Sequence, residues 1–271
     1  MSYRVRVFAA LAAAPFLVGV GVTGTPGVAQ AQQAIDSGLA SKRHQYTSPQ
    51  NFAAEVRFAA FTPAIDSDPA LHGATPYAQV FGTGPRLLIS GEFDWQALRI
   101  PHLGTLGPGV GVGFTEASGN AMFAMEHNGT YESGETTSLD IYPFDALAVL
   151  RIDVLWHDLG VPIVPYVKAG FGVALWRATN TLGTSVYTDP KTNQSVSGEG
   201  HSIGTHVALG IAFNLNVLDE SAARDWDESS GVNSTYLFAE WTREDLDGLG
   251  LQAAPLRVGG TSWTFGLAFE F

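Results

Sequence analysis

The chain ends in the stretch WTFGLAFEF, residues 263–271, and this stretch decides the fold. Bulky apolar side chains occupy its odd positions, whereas Thr264, Gly266, Ala268 and Glu270 occupy the even ones. Side chains alternate between the two faces of a strand, so the stretch predicts a strand with one bulky apolar face and one small face. The exposed face of a soluble sandwich usually carries Lys, Thr and Glu; a face of Gly and Ala instead predicts the cramped interior of a small barrel.

The same alternation recurs along the chain. It is clear in three further segments and weaker in four, and the seven segments are 52–61, 87–98, 106–114, 139–156, 167–175, 203–215 and 232–242. Eight strands can fill a barrel interior with side chains alone, and an even number lets both termini lie at the same end. The sequence therefore predicts an all-β fold: an eight-stranded antiparallel transmembrane β-barrel over residues 52–271.

The connections between these segments support a membrane barrel, because outer-membrane barrels alternate short periplasmic turns with longer extracellular loops. The four connections expected outside the cell are long: 62–86, 116–138, 178–200 and 243–260. Two of the other three are short, 99–105 and 157–162. The third, 217–231, carries Leu218, Ala222 and Trp226 at spacings of four, which predicts one short helix at the periplasmic mouth.

The composition is unusual for a soluble protein. The chain has 271 residues and 31 Gly, and only 15% of its residues are charged, where a soluble domain averages about 25%. Its 26 acidic against 14 basic residues argue against nucleic acid as a partner, because binding phosphates requires clustered Lys and Arg. It has no Cys, which excludes disulfides and thiolate sites.

The N-terminus has the layout of an export signal. Arg4 and Arg6 precede an apolar stretch, 7–22, and Ala29-Gln30-Ala31 forms a small-residue cleavage site. We therefore expect residues 1–31 to be a cleaved signal peptide and residues 32–51 to be a flexible periplasmic tail. An N-terminal membrane anchor is the alternative, but the apolar stretch is shorter than the ~20 residues that a spanning helix needs.

The inward phase of the strands contains charged residues. They are Glu55, Arg57, Glu92, Asp94, Arg151, Asp153, Lys168, Glu240 and Glu270. An unpaired buried charge costs several kcal/mol, so we expect Lys168 and Arg151 each to lie within ion-pair distance of a carboxylate. Two interpretations remain open: a structural polar network inside the lumen, or a constriction that gates ions or small solutes.

Metal and catalytic sites are not predicted. No two of the seven His have metal-ligand spacing on one element, so neither a metal site nor a cofactor is expected. His201 and Ser202, with Glu199 nearby, leave an alternative open, because Ser, His and an acid can act together in acyl chemistry at the outer leaflet. The Gly-rich run 104–113 lacks the Lys-Ser/Thr ending of a phosphate loop.

Several stretches look familiar as a set. They are SPQNFAAEVRF (48–58), PYAQVFG (76–82), DWQALRIPHLGTLGPGVGVGF (94–114), VPIVPYVKAGFGVALW (161–176), GTHVALGIAFNL (204–215), GVNSTYLFAEWT (231–242) and SWTFGLAFEF (262–271). The chain resembles a family of outer-membrane β-barrel proteins found mainly in myxobacteria and related Gram-negative bacteria. The resemblance implies an outer-membrane location and no catalytic residue. Its last strand looks like the signal read by the barrel-assembly machinery, carried here by Phe265, Leu267, Phe269 and Phe271.

The leading hypothesis is an integral outer-membrane protein with a structural or surface-interaction role and no enzymatic activity. Its expected partners are outer-membrane lipids and, during biogenesis, the barrel-assembly machinery. Three alternatives are kept: a narrow channel for small or hydrophobic solutes, an outer-leaflet lipid-modifying enzyme, and a soluble periplasmic lipocalin-like barrel.

Overall fold

The computed structural model describes residues 50–122, 132–157, 159–188, 193–252 and 255–271. The predicted signal peptide, 1–31, and all but the last two residues of the predicted tail, 32–51, lie outside the described residues. None of the helices in the described ranges has the length and hydropathy needed to cross a bilayer.

Eight strands form one closed sheet. Their bounds are β1 Phe52–Phe61, β2 Arg86–Trp95, β3 Gly104–Met122, β4 Glu132–Arg151, β5 Ile163–Asn180, β6 Glu199–Asn214, β7 Ser234–Asp245 and β8 Gly260–Glu270. Each strand pairs antiparallel with its neighbours in the sequence, and β8 also pairs with β1, where Glu270 lies opposite Ala53. This closure confirms the predicted eight-stranded antiparallel barrel.

The barrel has two different ends. We call the end where β1 begins and β8 finishes the terminal end, and the opposite one the loop end. Smaller elements lie in the connections at both ends. The short strands are Leu98–Ile100, Gly183–Thr184, Val186–Thr188 and Ser195–Ser197, and the 3-10 helices are Ala64–Ser67, Pro69–Leu71, Leu215–Val217 and Gly248–Gly250. The α-helices are α1 Pro76–Phe81, α2 Val154–His157 and α3 Glu220–Ser230.

Helix α3 is the predicted helix of the connection 217–231. The Asp219 side chain accepts hydrogen bonds from the backbone N–H groups of Ser221 and Ala222 at its start. These bonds, together with one from the Ser221 hydroxyl, hold the pKa of Asp219 below its usual range. The helix ends at Gly231, whose φ of 74° favours glycine.

The outer surface of the barrel is a band of exposed apolar side chains. Every strand contributes to this apolar band, which includes Val56, Phe58, Ile89, Phe93, Val110, Val112, Phe114, Tyr142, Phe144, Val167, Phe171, Leu175, Val207, Leu209, Ile211, Leu237, Trp263, Phe265 and Leu267. Along the described strands, the first charged side chains of the outer face lie toward the loop end, at Glu116, Asp140, Arg177, Glu199 and Arg243. A barrel with a water-facing wall would not leave the rest of the outer faces of its eight strands without charge.

Most strands differ in length from the sequence prediction, and β3 and β4 extend furthest beyond their predicted limits toward the loop end. The connection expected over 116–138 is largely a paired ribbon, in which Ala117 lies opposite Leu139 and Asn120 opposite Thr136. Its sequence is rich in Ser, Thr, Asn and Gly, so it lacks the alternation of bulky and small side chains that marks a barrel wall. At the other end, β4 stops at Arg151 rather than at Trp156, because the next residues turn into α2.

The loop end of the lumen is filled by an apolar plug. We define this plug as the buried cluster Ala59, Phe61, Ile65, Tyr77, Leu88, Ala117, Leu139, Ile141, Ala174, Leu246 and Val258. Ile65 and Tyr77 come from the connection between β1 and β2, which folds into the mouth. The Asp66 carboxylate fixes this connection by accepting the backbone N–H groups of Tyr77 and Ala78, both at 2.8 Å.

Candidate functional site

A layer of charged side chains crosses the barrel interior below the plug. We call it the charged layer and define it by Glu55, Arg57, Glu92, Asp94, Arg151, Lys168 and Glu240, which come from strands β1, β2, β4, β5 and β7. All seven side chains are buried. The strand phase alone turns them inward, because each alternates with outward apolar neighbours.

Lys168 is the centre of the charged layer and is fully buried. Its Nζ lies 2.8 Å from Glu55 Oε2, 2.5 Å from Glu92 Oε1 and 3.2 Å from Glu240 Oε2. Three carboxylates from three strands therefore converge on one ammonium group, which offsets the cost of removing these charges from water.

The two arginines complete the charged layer. The Arg57 guanidinium donates to Glu55 Oε2 at 3.0 Å and also contacts Glu92 and Glu240. Arg151 donates to Glu55 Oε1 at 2.6 Å and to Asp94 Oδ2 at 2.7 Å. Each carboxylate in the layer thus has at least one basic partner, so the layer is a connected network of ion pairs across the lumen.

Aromatic rings cover the charged layer on its terminal side. The Tyr166 ring centre lies 5.0 Å from Lys168 Nζ and 5.5 Å from the Arg151 guanidinium carbon. The Phe238 ring centre lies 5.9 Å from the Arg57 guanidinium carbon. Cations placed over aromatic faces are attracted by the ring quadrupole. Tyr166 and Phe238 also pack with Val164, Tyr236 and other apolar residues, which fill the lumen toward the terminal end.

Two other residues of the predicted inward set lie outside the layer. Glu270 is buried nearer the terminal end, where it accepts hydrogen bonds from the Tyr236 hydroxyl and the Gln96 amide, both at 2.8 Å. Asp153 does not join the network, and its assignment to the lumen was wrong. It follows the end of β4, so the strand phase no longer applies, and it lies 3.9 Å from the exposed Arg99.

A second titratable cluster lies in the same lumen, toward the loop end. We call it the acid–histidine cluster: Asp145 on β4, His206 on β6 and Glu244 on β7. His206 Nδ1 lies 3.0 Å from Asp145 Oδ1 and 3.4 Å from Glu244 Oε1. His206 and Glu244 are buried, and Asp145 is half-buried.

Sequence reasoning missed this cluster, although the signal was present. All three residues share the inward phase of their strands, but Glu244 lies two positions beyond the predicted end of its strand. The spacing of His residues within one strand or helix does not show this cluster, because its residues come from three strands. Closure of the barrel is what brings them together.

The residues behind the enzymatic alternative do not meet. The Ser202 hydroxyl is buried and donates to the Leu256 carbonyl at 2.6 Å, whereas His201 is exposed on the other face of the strand. Glu199 lies 3.5 Å from Arg177 at the surface. Adjacent residues of a strand point to opposite faces, so this pair forms no dyad.

The C-terminal residues predicted as an assembly signal face outward. Phe265 and Leu267 belong to the apolar band, and the Phe271 ring lies 6.1 Å from that of Phe52 and 6.3 Å from that of Phe93. Phe269 packs near Trp226 of α3, with ring centres 6.4 Å apart. Aromatic residues therefore ring the terminal end of the barrel.

Comparisons with known proteins give distant structural similarity only. No family model matches the chain, and no curated protein matches it in sequence. Among solved structures, the chain is similar to the N-terminal β-barrel domain of OprF from Pseudomonas aeruginosa, with 12% identity over 83% of this chain and 100% of that one and a TM-score of 0.35.

Two further similar structures are barrels of comparable size. Neisserial surface protein A has 15% identity over 82% of this chain and 95% of that one, with a TM-score of 0.37. Outer membrane protein Ail of Yersinia pestis has 12% identity over 82% of this chain and 100% of that one, with a TM-score of 0.37. At these values the similarity assigns no function and no family, and nothing links the chain to the myxobacterial group that its motifs resemble.

Proposed function

We propose that this chain is an integral outer-membrane β-barrel with a closed lumen, exported through residues 1–31, and that it serves envelope structure or surface interaction. One observation carries the membrane assignment: all eight strands contribute to the apolar band, and no charged residue of these strands faces outward within it. A soluble lipocalin-like barrel would expose this band to water, at a large cost in free energy.

The height of the apolar band fits a bilayer. The outer face of β5 carries no charged residue from Ile163 to Leu175. At about 3.3 Å per residue and a tilt of about 40°, this stretch spans roughly 30 Å along the barrel axis. The hydrocarbon core of a bilayer is also about 30 Å thick. The short connections at the terminal end would then face the periplasm, and the loop end would face the exterior.

The filled lumen supports a closed barrel rather than a channel. The charged layer connects five strands through ion pairs, and the apolar plug lies between it and the loop end. An ion entering from outside would have to displace apolar side chains before reaching any polar group. The narrow channel remains the alternative, and the same barrel preparation tests it.

Surface interaction is supported by the ribbon that β3 and β4 form beyond the charged residues of the outer face. The pairing continues there from Glu116 opposite Asp140 to Met122 opposite Glu132, and the exposed polar side chains are Glu116, Ser118, Asn120, Glu132, Glu135 and Thr136. A paired ribbon loses less entropy on binding a partner than a free loop does, so it can present a defined surface to the exterior.

Two measurements test the proposed function. We expect the protein in the detergent-extracted outer-membrane fraction, and recovery from the soluble periplasm would contradict the membrane assignment. In planar lipid bilayers, we expect the purified full chain to insert without resolvable conductance steps. Reproducible single-channel conductance steps would contradict the closed lumen and support the channel alternative. Insertion itself is followed separately by flotation of vesicles that carry the protein.

The C-terminal strand supports an interaction with the barrel-assembly machinery. Phe265, Leu267, Phe269 and Phe271 present a series of apolar side chains on the outer face of β8 and just after it. We expect Phe271→Ala to lower the amount of assembled barrel in the outer membrane several-fold, because the change removes the terminal aromatic side chain. The matched control is Tyr187→Ala, an exposed aromatic residue in the loop-end hairpin. Equal yields of the two variants would contradict this role.

A further inference from the structure

We propose that the acid–histidine cluster Asp145, His206 and Glu244 binds one divalent transition-metal ion of the zinc class inside the barrel. This inference goes beyond the proposed function, because it concerns the lumen and holds whether or not the loops bind a partner.

The donor atoms have the spacing of a metal-ligand set. His206 Nδ1 lies 3.0 and 3.4 Å from the nearest oxygens of Asp145 and Glu244, and one donor atom from each residue falls within 4.8 Å of the other two. Ligands held about 2.0–2.2 Å from one ion are separated by about 3.0–3.5 Å in octahedral or tetrahedral geometry. One imidazole and two carboxylates are a donor set suited to zinc and its neighbours, whereas calcium and magnesium prefer oxygen alone.

The local charge calls for a cation. Asp145 and Glu244 bring two carboxylates, and within the described ranges no Lys or Arg forms an ion pair with either; their partner is His206. Arg57 lines the same cavity as these three residues, but its guanidinium is already held by Glu55, Glu92 and Glu240. A divalent ion would neutralise the two carboxylates and hold them together.

There is room for a further ligand beside the cluster. Asp145, His206 and Glu244 line a cavity of about 20 Å³ together with Thr242, Ser262 and Thr264. This space admits about one water molecule, which could complete the coordination of an ion. The buried Nε2 of His206, whose residue is 2% exposed, has no hydrogen-bond partner among the described residues. Nε2 lies on the ring edge away from Nδ1, so it leaves room for an outer-shell water, the kind of partner that the second nitrogen of a metal-bound His takes.

Gly172 on β5 makes the arrangement possible. β5 lies between β4 and β6, so the Asp145 carboxylate must pass over it to reach His206. A Cβ atom at residue 172 would come within 2.8 Å of Asp145 Oδ1. The missing side chain at Gly172 therefore leaves the space that the carboxylate occupies.

The charged layer contains a comparable group of donor atoms but carries its own positive charge. Glu55, Glu92 and Asp94 also bring donor atoms within 4.8 Å of one another. There, however, Lys168, Arg57 and Arg151 provide the positive charge. The acid–histidine cluster brings two carboxylates and one imidazole, and among the described residues no Lys or Arg pairs with either carboxylate, which is why the metal site is assigned to it alone.

Zinc binding by the full chain, folded in detergent micelles and stripped with a chelator, tests the proposal. After dialysis against a small excess of ZnCl₂, we expect one zinc per barrel by elemental analysis. Cobalt is expected to give visible absorption bands typical of nitrogen and oxygen ligands. His206→Asn and Glu244→Gln should each weaken zinc binding by more than about tenfold. The matched control is His201→Asn, a histidine on the outer face of the same strand, which should bind as the wild type does.

Circular dichroism of each variant verifies folding, and Asp145→Asn is the substitute if either of the first two variants fails to fold. A wild-type barrel that takes up no zinc would overturn the proposal. So would folded His206→Asn or Glu244→Gln variants that bind zinc as tightly as His201→Asn. These outcomes leave the membrane assignment untouched, because fractionation and conductance are measured on the metal-free protein.

Discussion

The charged layer and the apolar plug close the same lumen by opposite chemistry. Glu92 and Leu88 lie on the inner face of one strand, β2, yet one belongs to the layer and the other to the plug. The layer consists of buried ion pairs, which need every partner in place; the plug consists of apolar side chains, each of which contributes through its own buried area. The layer should therefore be sensitive to the loss of one charge, whereas the plug should lose stability gradually.

The largest expected effect comes from removing the central cation of the charged layer. Lys168→Met should lower the free energy of unfolding by about 3–5 kcal/mol, because it leaves Glu55, Glu92 and Glu240 with too little positive charge. Urea unfolding of the barrel in lipid vesicles measures this loss.

The matched control for this variant is Arg177→Met, which breaks an ion pair of exposed side chains with Glu199. An exposed pair contributes little, so the control should change stability by less than about 1 kcal/mol. Equal losses in the two variants would mean that the buried layer is no more sensitive than the surface.

A smaller loss is expected when the plug is opened. Leu246→Ala should cost about 3 kcal/mol, because Leu246 is 2% exposed and its removal leaves a cavity. Leu251→Ala, at an exposed position of the same connection, should cost less than about 0.5 kcal/mol. The same unfolding assay measures both variants. A loss for Leu246→Ala that exceeds the loss for Lys168→Met would reverse the expected order and contradict the distinction between layer and plug.

The smallest effect concerns a single hydrogen bond at the edge of the layer. The Thr242 hydroxyl donates to Glu240 Oε1 at 2.9 Å, so Thr242→Val should cost about 1–2 kcal/mol. Thr115 is the matched control: it is also buried, but its hydroxyl has no partner among the described residues. Thr115→Val should be neutral or slightly stabilising by thermal unfolding, and the reverse order of the two variants would contradict this assignment.

The sequence predicted most of the barrel wall but little of what fills its loop end. Alternation of bulky and small residues located all eight strands, because every strand has bulky side chains on its outer face and smaller or polar ones facing the narrow interior. The plug could not be predicted, since Ile65 and Tyr77 lie in a connection whose composition resembles that of any surface loop. Their inward packing depends on Asp66 fixing α1 and on the width of the mouth.

The candidate site was predictable as far as the strand phase reached. Lys168 and Arg151 have carboxylate partners because the phase turns both sets of residues inward. Asp153 was misplaced because a periodic pattern does not show where a strand stops. The acid–histidine cluster was not predicted because its three residues come from different strands. The distances between them follow from the register between strands rather than from spacing in the sequence.

The pairing of β8 with β1 has a consequence for how the protein folds. Glu270 meets Ala53 across nearly the whole length of the barrel sequence, so closing the sheet requires bringing distant parts of the chain together. Contacts of such high sequence separation form slowly. Until they form, the sheet has two free edges and an uncovered apolar surface, both of which promote aggregation. We therefore expect the joining of the two ends to be the slowest folding step, and the chain to be prone to aggregation until that step is complete.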